Sequence, residues 1–353
     1  MNRSLIPLAG LYGAGARLRR RAFQQGWLKS RRLSRPVISV GNLTVGGSGK
    51  TPLVAEVTEI LLRNGYKPSI LTRGYGRERG TDLIALEPQL QRDTDSRVVG
   101  DEPALLARML PGAPIVICAD RYRAGLLAEE RFGVDIHILD DGFQHFALQR
   151  DLDLVAIDVT QDVLQDAVLP AGRLREPSSA LSRADVIILT RVEIQDPAST
   201  ERLVSKMHPN APVFHCSMGL HELVAAASRE AIPPKVYQGD RACAFCAIGN
   251  PSAFFSDLRQ WGFNLVAEIA LRDHHVYGEE DVHRLNRAAR EKKASVFLTT
   301  EKDLMNVPSQ LKFELPVLAC AIRAEISDTQ RFEQVLLAGF ERKQVGSKVR
   351  PRS

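Results

Sequence analysis

Residues 37–52 have the sequence VISVGNLTVGGSGKTP. The first four, Val37 to Val40, are mostly apolar and β-branched, as in a buried strand. A glycine-rich turn follows, and Pro52 suits the first turn of a helix, where a backbone N–H would have no partner in any case. A strand, a glycine-rich turn and a helix N-terminus in this order form the setting of a phosphate-binding loop, so the sequence predicts a nucleotide site here.

The candidate loop comprises Thr44, Val45, Gly46, Gly47, Ser48, Gly49, Lys50 and Thr51. Its glycines allow backbone N–H groups to face phosphate oxygens, and the helix N-terminus adds partial positive charge. We expect Lys50 to reach the outer phosphates and Thr51 to offer its hydroxyl to Mg²⁺. The loop therefore predicts a nucleoside triphosphate with Mg²⁺, although it starts with threonine where the usual motif has glycine.

Two acids follow another apolar run. Residues 136–139 predict a strand, and Asp140 and Asp141 come directly after it. Ligands of open parallel sheets bind beyond the carboxyl ends of the strands, where phosphate-loop enzymes hold their metal with an acid. Acids in this position also cap helices or form turns. Because the phosphate loop is present, we expect at least one of the two to bind Mg²⁺ or to orient water.

Beyond residue 35, short apolar runs alternate with segments of helical periodicity, which is typical of a parallel sheet covered by helices. The first series has predicted strands at residues 37–40, 69–71, 115–117, 136–139, 154–157 and 186–189, with helices at 53–64 and 103–110. The second series has strands at 244–248, 265–270 and 295–299, with helices at 252–261 and 279–291. The sequence thus predicts an α/β fold with a P-loop NTPase-like parallel sheet core, a second, smaller α/β domain and an N-terminal amphipathic helix.

These patterns divide the chain into five parts. We expect a membrane-associating N-terminal helix in residues 1–35, a P-loop core domain in 36–215, a linker in 216–240, a smaller C-terminal α/β domain in 241–340 and a loose basic tail in 341–353. The linker is placed where periodicity weakens and two prolines, Pro233 and Pro234, adjoin.

The basic residues are unevenly distributed. The formal net charge is +5, yet residues 1–35 contain nine Lys or Arg and neither Asp nor Glu. If residues 8–23 are helical, one side carries the apolar residues Leu8, Leu11, Tyr12, Leu18 and Ala22. Such a helix is suited to the interface of an anionic membrane, and the alternative is a terminal helix docked on the protein's own core.

Other function classes do not fit this composition. The apolar run at residues 5–16 is 12 residues long, short of the ~20 that span a bilayer. Its arginines follow the run, whereas a secretory signal carries its charge in front, and only the terminus is basic, so we expect neither export nor nucleic-acid binding. The five cysteines are scattered, as suits a reducing cytoplasm, and we expect the pair Cys243 and Cys246 to pack within a strand.

The phosphate loop alone does not distinguish a kinase from a GTPase or a partitioning ATPase, but its surroundings narrow the choice. Residues 40–52 resemble the signature of the lipid A 4′-kinases, in which threonine at the first loop position is normal. Further similar blocks follow in order at residues 72–77 (TRGYGR), 99–103 (VGDEP), 140–145 (DDGFQH), 172–177 (GRLREP) and 273–275 (DHH) with Tyr277. Together they span roughly residues 35–305, so the resemblance is far more specific than one motif.

The resemblance implies transfer of the γ-phosphoryl group of ATP to the 4′-hydroxyl of a tetraacyldisaccharide 1-phosphate, late in lipid A synthesis in Gram-negative bacteria. It also implies two α/β lobes with the active site between them and a membrane-associated N-terminal helix. The expected partners are the disaccharide lipid and an anionic membrane surface, at the cytoplasmic face of the inner membrane, and no protein partner is implied. The charge pattern of residues 1–35 agrees with this location independently.

The resemblance further implies roles for single residues. Asp101 matches the family's catalytic base and His274 its partner from the second lobe, so that together they would accept the proton of the sugar hydroxyl. Lys50 would neutralise developing charge, and Thr51 with Asp140 or Asp141 would hold Mg²⁺. Second-rank candidates for phosphate or headgroup contacts are Arg73, Arg121, Gln144, His145, Arg175 and Glu176. Without the resemblance, these side chains would be interpreted as helix caps, loop residues or surface ion-pair partners.

Two other functions are alternatives. A membrane-targeted ATPase of the partitioning or positioning type, acting through protein partners, also combines such a loop with an amphipathic helix. Those ATPases carry a second lysine directly before the glycine pair, and that position is Val45 here. The other alternative is a soluble small-molecule kinase whose basic terminus packs on its own core, which the behaviour of the protein on membranes would distinguish.

Overall fold

The computed structural model describes residues 5–46, 49–74, 83–88, 96–273, 275–308 and 310–348. The strands in these residues are β1 (Val37–Asn42), β2 (Pro68–Thr72), β3 (Leu83–Leu86), β4 (Ile115–Cys118), β5 (Ile136–Asp140), β6 (Leu152–Asp158), β7 (Val186–Thr190), β8 (Val213–Ala225), β9 (Ala231–Ile232), β10 (Arg241–Cys246), β11 (Asn264–Ala270), β12 (Val296–Thr300) and β13 (Val317–Ile326). The helices are α1 (Ile6–Gln24), α2 (Lys50–Arg63), α3 (Ser96–Val99), α4 (Asp101–Met109), α5 (Arg121–Phe132), α6 (Ala198–Met207), α7 (Pro251–Gln260), α8 (Glu279–Glu291), α9 (Glu301–Asn306) and α10 (Thr329–Lys348). The predicted α/β fold is confirmed.

The strands join into one mostly parallel sheet in the order β11-β10-β12-β13-β8-β7-β6-β1-β5-β2-β4-β3, with β9 paired to β8. β1 lies between β5 and β6 and is parallel to both. Central parallel strands are covered on both faces, which is why they appear in the sequence as continuous apolar runs. Val40 is in register with Asp140. The phosphate loop and the acid pair therefore lie next to each other, at the carboxyl ends of β1 and β5.

β8 connects the two series of strands. Its first part pairs in parallel with β7, and the part from Cys216 to Ala225 pairs antiparallel with β13. The predicted linker, residues 216–240, thus contains most of β8 and all of β9. Buried and half-exposed residues alternate through much of β8, so polar side chains interrupt its apolar pattern and weaken the periodicity. The division into two domains remains a prediction.

α10 packs on the core of the first series. Phe332, Leu336 and Phe340 recur at four-residue spacing and share a buried cluster with Leu53 and Ile60 of α2. The helix continues to Lys348, and the expectation of a loose basic tail after residue 341 stays a prediction. Once a packed turn has formed, extending a helix by further residues costs little.

α1 confirms the helix predicted near the N-terminus. It packs through small residues, since Ala9 and Gly13 are buried, whereas Leu11 and Leu18 are 71% and 61% exposed. No helix among the described residues is both long and apolar enough to cross a membrane.

The five cysteines are free and buried, and Cys243 and Cys246 belong to β10. Burial raises the pKa of the Cys243 thiol to about 11 and that of the Cys246 thiol to about 12. Both are therefore protonated near neutral pH, and the interpretation of this pair as strand packing is confirmed.

Candidate active site

The phosphate loop connects β1 to α2. Gly49 directly precedes the first helical residue, Lys50, and has a φ of +74°, a left-handed value that favours glycine because a side chain is strained there. Leu53 N donates to the Gly49 carbonyl oxygen at 3.2 Å and closes the first turn of α2. Lys50 and Thr51 therefore stand at the helix N-terminus. Gly47 and Ser48, two predicted members of the loop, lie outside the described residues.

The GRLREP block lies beside this loop. Val45 N donates to the Arg173 carbonyl oxygen at 2.9 Å, and Arg175 N donates to the Leu43 carbonyl oxygen at 2.8 Å. This pairing brings the Arg175 guanidinium to the acid pair, where Nη1 donates to Asp141 Oδ2 at 2.6 Å. Two blocks that are far apart in the sequence thus meet at the phosphate loop.

The two acids differ in electrostatic environment. Asp140 ends β5 and is buried; burial, with the nearby charges of Glu102 and Asp141, raises the pKa of Asp140 to about 7. Burial acts on Asp141 in the same direction, but the charges of Lys50 and Arg175 outweigh it and hold the pKa of Asp141 below its ordinary value. Lys50 Nζ lies 3.5 Å from Asp141 Oδ1. Asp141 is therefore ionised near pH 7, whereas Asp140 would require further positive charge to be fully ionised.

A cleft of about 470 Å³ opens over the phosphate loop. One wall contains Gly46, Gly49, Lys50, Thr51 and Pro52. The opposite wall is formed by residues at or beyond the carboxyl ends of strands of the second series: Ile248, Gly249, Asn250, Asp273, Thr300 and Lys302. The cleft therefore lies between the phosphate loop and the carboxyl ends of β10, β11 and β12.

Asp101, the predicted base, is the first residue of α4 and is 8% exposed. Its neighbour Glu102 lines the cleft and contributes to the raised pKa of Asp140, so this end of α4 lies close to the acid pair. His274 lies outside the described residues. The pairing of His274 with Asp101 therefore stays a prediction.

A second cavity, of about 580 Å³, lies between α1 and the acid pair. All six second-rank candidates line it: Arg73, Arg121, Gln144, His145, Arg175 and Glu176. Tyr12, Gly15, Ala16 and Arg19 of α1 also contribute to its lining. Asp141 and Arg175 border both this cavity and the cleft. The two spaces therefore meet at one ion pair.

Positive charge is concentrated around the second cavity. Arg121 is only 5% exposed, and its Nη1 donates to the Ala119 carbonyl oxygen at 3.1 Å. Burial lowers the pKa of His145 to about 4, and the charges of Arg121, Arg150 and Arg19 act in the same direction. His145 is therefore a neutral imidazole near pH 7.

Two of the residues that line the second cavity also form hydrogen bonds within the protein. Gln144 Nε2 donates to the Asn42 carbonyl oxygen at 2.9 Å, which ties the cavity to the end of β1. Glu176 is 4% exposed and accepts two hydrogen bonds from the Arg183 guanidinium, at 3.2 and 2.7 Å. That guanidinium lies over the Phe143 ring, 4.4 Å from its centroid. Glu176 thus has a bidentate partner within the protein.

Arg19, Glu102 and Lys302 line these spaces but are not among the predicted site residues. Arg19 belongs to the basic cluster of the N-terminus, and periodicity alone does not indicate which arginine of an amphipathic helix turns toward the protein. Lys302 follows β12 by two residues. Its place beyond the carboxyl end of a parallel strand is the signal that could have found it.

A model of the tetraacyldisaccharide-1-P 4′-kinase family matches residues 1–341. The tetraacyldisaccharide 4′-kinase of Geobacter metallireducens is 39% identical over 333 residues, which cover 94% of this chain and 96% of that protein. The tetraacyldisaccharide 4′-kinase of Koribacter versatilis is 36% identical over 345 residues, covering 96% and 99%. Among solved structures, the "apo" form of LpxK from Aquifex aeolicus in complex with ATP is similar, with a TM-score of 0.78 and 30% identity over 96% of this chain and 99% of that one. The chain therefore belongs to the tetraacyldisaccharide 1-phosphate 4′-kinase family.

Proposed function

We propose that this protein transfers the γ-phosphoryl group of ATP to the 4′-hydroxyl of a tetraacyldisaccharide 1-phosphate. The observation that carries the proposal is the meeting of two cavities at Asp141 and Arg175. One contains the phosphate loop, and the other is lined by arginines and bordered by α1. A phosphoryl donor in the first and an anionic acceptor in the second would bring their reacting ends to this junction. Membership of the 4′-kinase family supports the same reaction.

In the cleft, Lys50 and Thr51 are proposed to act on the triphosphate. The N-terminus of α2 supplies backbone donors and partial positive charge, and the Lys50 ammonium adds a full charge where negative charge grows during transfer. Phosphoryl transfer requires little covalent chemistry from the protein, so positioning and charge account for most of the acceleration.

The residues at the strand ends fit Mg²⁺. Within the described part of the chain no group of three or more His, Cys, Asp or Glu could hold a metal ion, but Mg²⁺ commonly takes one or two carboxylates together with substrate phosphates and water. The raised pKa of Asp140, caused by burial and neighbouring acids, fits a carboxylate that gains an adjacent cation. Thr51 with Asp140 or Asp141 would hold the ion. Bound Mg²⁺ would neutralise phosphate charge.

Asp101 is proposed as the base for the acceptor hydroxyl, with His274 as its partner. The burial of Asp101 at the start of α4, next to the cleft-lining Glu102, supports a position near the junction of the cavities. A carboxylate there can accept a proton from a hydroxyl that approaches from the second cavity.

The second cavity is proposed to hold the phosphorylated disaccharide. Its arginines, Arg73, Arg121 and Arg175 with Arg19 from α1, suit a phosphate because guanidinium groups bind its oxygens in pairs. His145 is neutral, since burial and the surrounding arginines lower its pKa to about 4, and it can exchange hydrogen bonds with sugar hydroxyls without adding charge.

α1 is proposed to lie in the anionic surface of the cytoplasmic face of the inner membrane. Leu8, Leu11 and Leu18 are exposed, whereas a helix docked only on the protein's own core would bury such side chains. Because α1 also borders the second cavity, a lipid bound there can keep its acyl chains in the bilayer while its headgroup reaches the arginines.

The test measures ATP-dependent phosphate incorporation into purified tetraacyldisaccharide 1-phosphate in mixed micelles. We expect Lys50→Ala and Thr51→Ala to lose most of the transfer and to keep the wild-type circular dichroism, because both residues act on phosphate charge and not on the core. Lys67→Ala removes an exposed lysine directly before β2, at the amino ends of the parallel strands, and serves as the control. Near-normal turnover in either loop variant would contradict the mechanism. ATP hydrolysis without phosphorylated lipid would instead favour the partitioning-type ATPase, which family membership and Val45 at the second-lysine position argue against.

A further inference from the structure

The cleft wall opposite the phosphate loop is built from three separate segments. The first follows β10 and contributes Asn250; the second lies between β11 and α8 and contributes Asp273; the third is the junction of β12 and α9 and contributes Thr300 and Lys302. Strand pairing positions the ends of β10, β11 and β12, and Thr300 still pairs with Cys320 of β13, but Asn250, Asp273 and Lys302 lie beyond the paired residues. Side-chain contacts therefore contribute to where these residues are placed.

One buried carboxylate contacts all three segments. Asp303 is 1% exposed. Its Oδ1 accepts from Ala247 N, just after β10, at 2.8 Å and from Tyr277 Oη, in the loop before α8, also at 2.8 Å. Its Oδ2 accepts from Thr300 Oγ1 at 2.6 Å, while Asp303 N donates back to that oxygen at 3.0 Å. These donors offset the cost of burying the carboxylate and hold it in one orientation.

Two further contacts connect this cluster to the cleft and to α4. Lys302, next to Asp303 in the chain, places Nζ 3.2 Å from Asp273 Oδ1 within the cleft wall. On the other side of α9, Ser96 Oγ donates to the Met305 carbonyl oxygen at 3.0 Å. Ser96 begins α3, which directly precedes α4. α9 therefore links the cleft wall to the helix that starts with the proposed base.

We propose that Asp303 is a positioning residue for the nucleotide: through Ala247, Tyr277 and Thr300 it aligns the three segments of the wall so that Lys302 and Asp273 face the phosphate loop. The inference rests on the proposed function, in that the cleft is assigned to ATP. Asp303 itself is buried and acts only through these neighbours. Burial and the adjacent Asp303 carboxylate raise the pKa of Tyr277, so its phenol remains a hydrogen-bond donor at all working pH values.

Tyr277→Phe tests this with little disturbance of the core. The ring of Tyr277 packs edge-on against Phe245, with centroids 5.6 Å apart, and the variant retains that packing while losing the bond to Asp303. Tyr66→Phe is the matched control: Tyr66 Oη donates to Glu341 Oε1 at 2.9 Å, and its ring packs edge-on against Phe340. Both variants lose one phenol–carboxylate hydrogen bond, but only Tyr277 contacts the carboxylate that joins the three wall segments.

Two measurements separate the outcomes: titration calorimetry with a non-hydrolysable ATP analogue, and kcat for lipid phosphorylation, each with Tm recorded. We expect Tyr277→Phe to weaken analogue binding and to lower kcat, each about tenfold, and Asp303→Asn to have a larger effect in the same direction. Tyr66→Phe should leave analogue binding and kcat unchanged and lower Tm less, because its hydrogen bond is exposed whereas that of Tyr277 is buried. Wild-type analogue affinity in Tyr277→Phe, whatever its Tm, would overturn the inference even if Asp303→Asn does not fold. If the wild-type protein binds the analogue but phosphorylates no lipid, the proposed function fails, and the titration still decides the role of Asp303.

Discussion

At Gly41, β1 lies close to the segment that follows the acid pair, and replacing this glycine tests how tightly the site depends on that contact. A Cβ at position 41 would lie 2.7 Å from Phe143 Cβ and 2.8 Å from Phe143 N. Ordinary contact begins near 3.4 Å, so Gly41→Ala must separate the two segments by about 0.7 Å. β1 is paired on both sides and Phe143 is fully buried, so neither segment can move without disturbing its neighbours.

The expected cost in folding free energy is about 1–3 kcal/mol, the range for overpacking a well-packed core. At about 2 °C per kcal/mol for a chain of this size, Tm should fall by about 2–6 °C. Turnover should suffer more, because β1 leads into the phosphate loop and Phe143 follows Asp141 by two residues. A displacement approaching 1 Å at reacting groups can cost about 100-fold, so we expect kcat to fall about 10- to 100-fold.

Scanning calorimetry and the lipid phosphorylation assay measure the two effects on the same preparation. Gly112→Ala is the control, because no atom lies within 4 Å of a Cβ at that position. Wild-type Tm and kcat in Gly41→Ala would refute the packing argument. A lowered Tm with full kcat would refute the claim that the contact sets the geometry of the site.

Three further predictions concern the base, the membrane helix and pH. Asp101→Ala and His274→Ala should each lower kcat by about 10²- to 10⁴-fold. The double variant should have a kcat only slightly below that of the poorer single variant, because residues that act as a unit are non-additive. If the loss in the double variant equals the product of the two single losses, the two residues have independent roles. Deleting residues 1–25 should weaken binding to anionic vesicles in sedimentation assays, and the binding of the wild-type protein should weaken as salt is added. Equally tight binding to neutral and anionic vesicles at every salt concentration would exclude an electrostatic contribution to membrane binding. The pKa of His145 is about 4 in the folded protein against 6.5 ordinarily, so between these values the unfolded chain takes up the proton first. The contribution of His145 to stability should therefore decline by roughly 2–3 kcal/mol as pH falls from 6.5 to 4, so urea titrations should show a smaller loss of stability with falling pH in His145→Gln than in the wild type over that window.

The elements that could be predicted are those whose own residues carry the signal. The strand at 136–139 and the helix at 279–291 have apolar patterns that match strand and helix burial, and the structure contains both. β8 was not predicted, because it pairs with different strands along its length and its half-exposed positions carry polar residues. Burial of this kind depends on the partner strands and is not encoded in the local pattern.

The residues of the site likewise fall into those that the sequence identifies and those that only the fold brings together. The phosphate loop and the acid pair are contiguous in sequence and recognisable from it. The second cavity is assembled from α1, the end of β2, the start of α5 and the GRLREP block, which the fold alone brings together. The family resemblance indicated Arg73 and Arg121 as candidates, but only the structure places Arg19 in the same cavity. Asp303 gave no sequence signal, because a carboxylate that accepts from three segments resembles any acid in the first turn of a helix.

The packing of α10 against α2 has a consequence for synthesis on the ribosome. Strands β1 to β7 precede residue 191, yet their hydrophobic core also requires Phe332, Leu336 and Phe340. A nascent chain that has emerged as far as β7 would therefore expose apolar surface of α2 until more than 140 further residues have been translated. At about 5–20 residues per second this takes roughly 7–30 s, an interval in which an incompletely covered core is exposed to aggregation or to chaperones. Synthesis of α10, rather than the folding of β1 to β7, thus sets when α2, the helix that follows the phosphate loop, is fully covered.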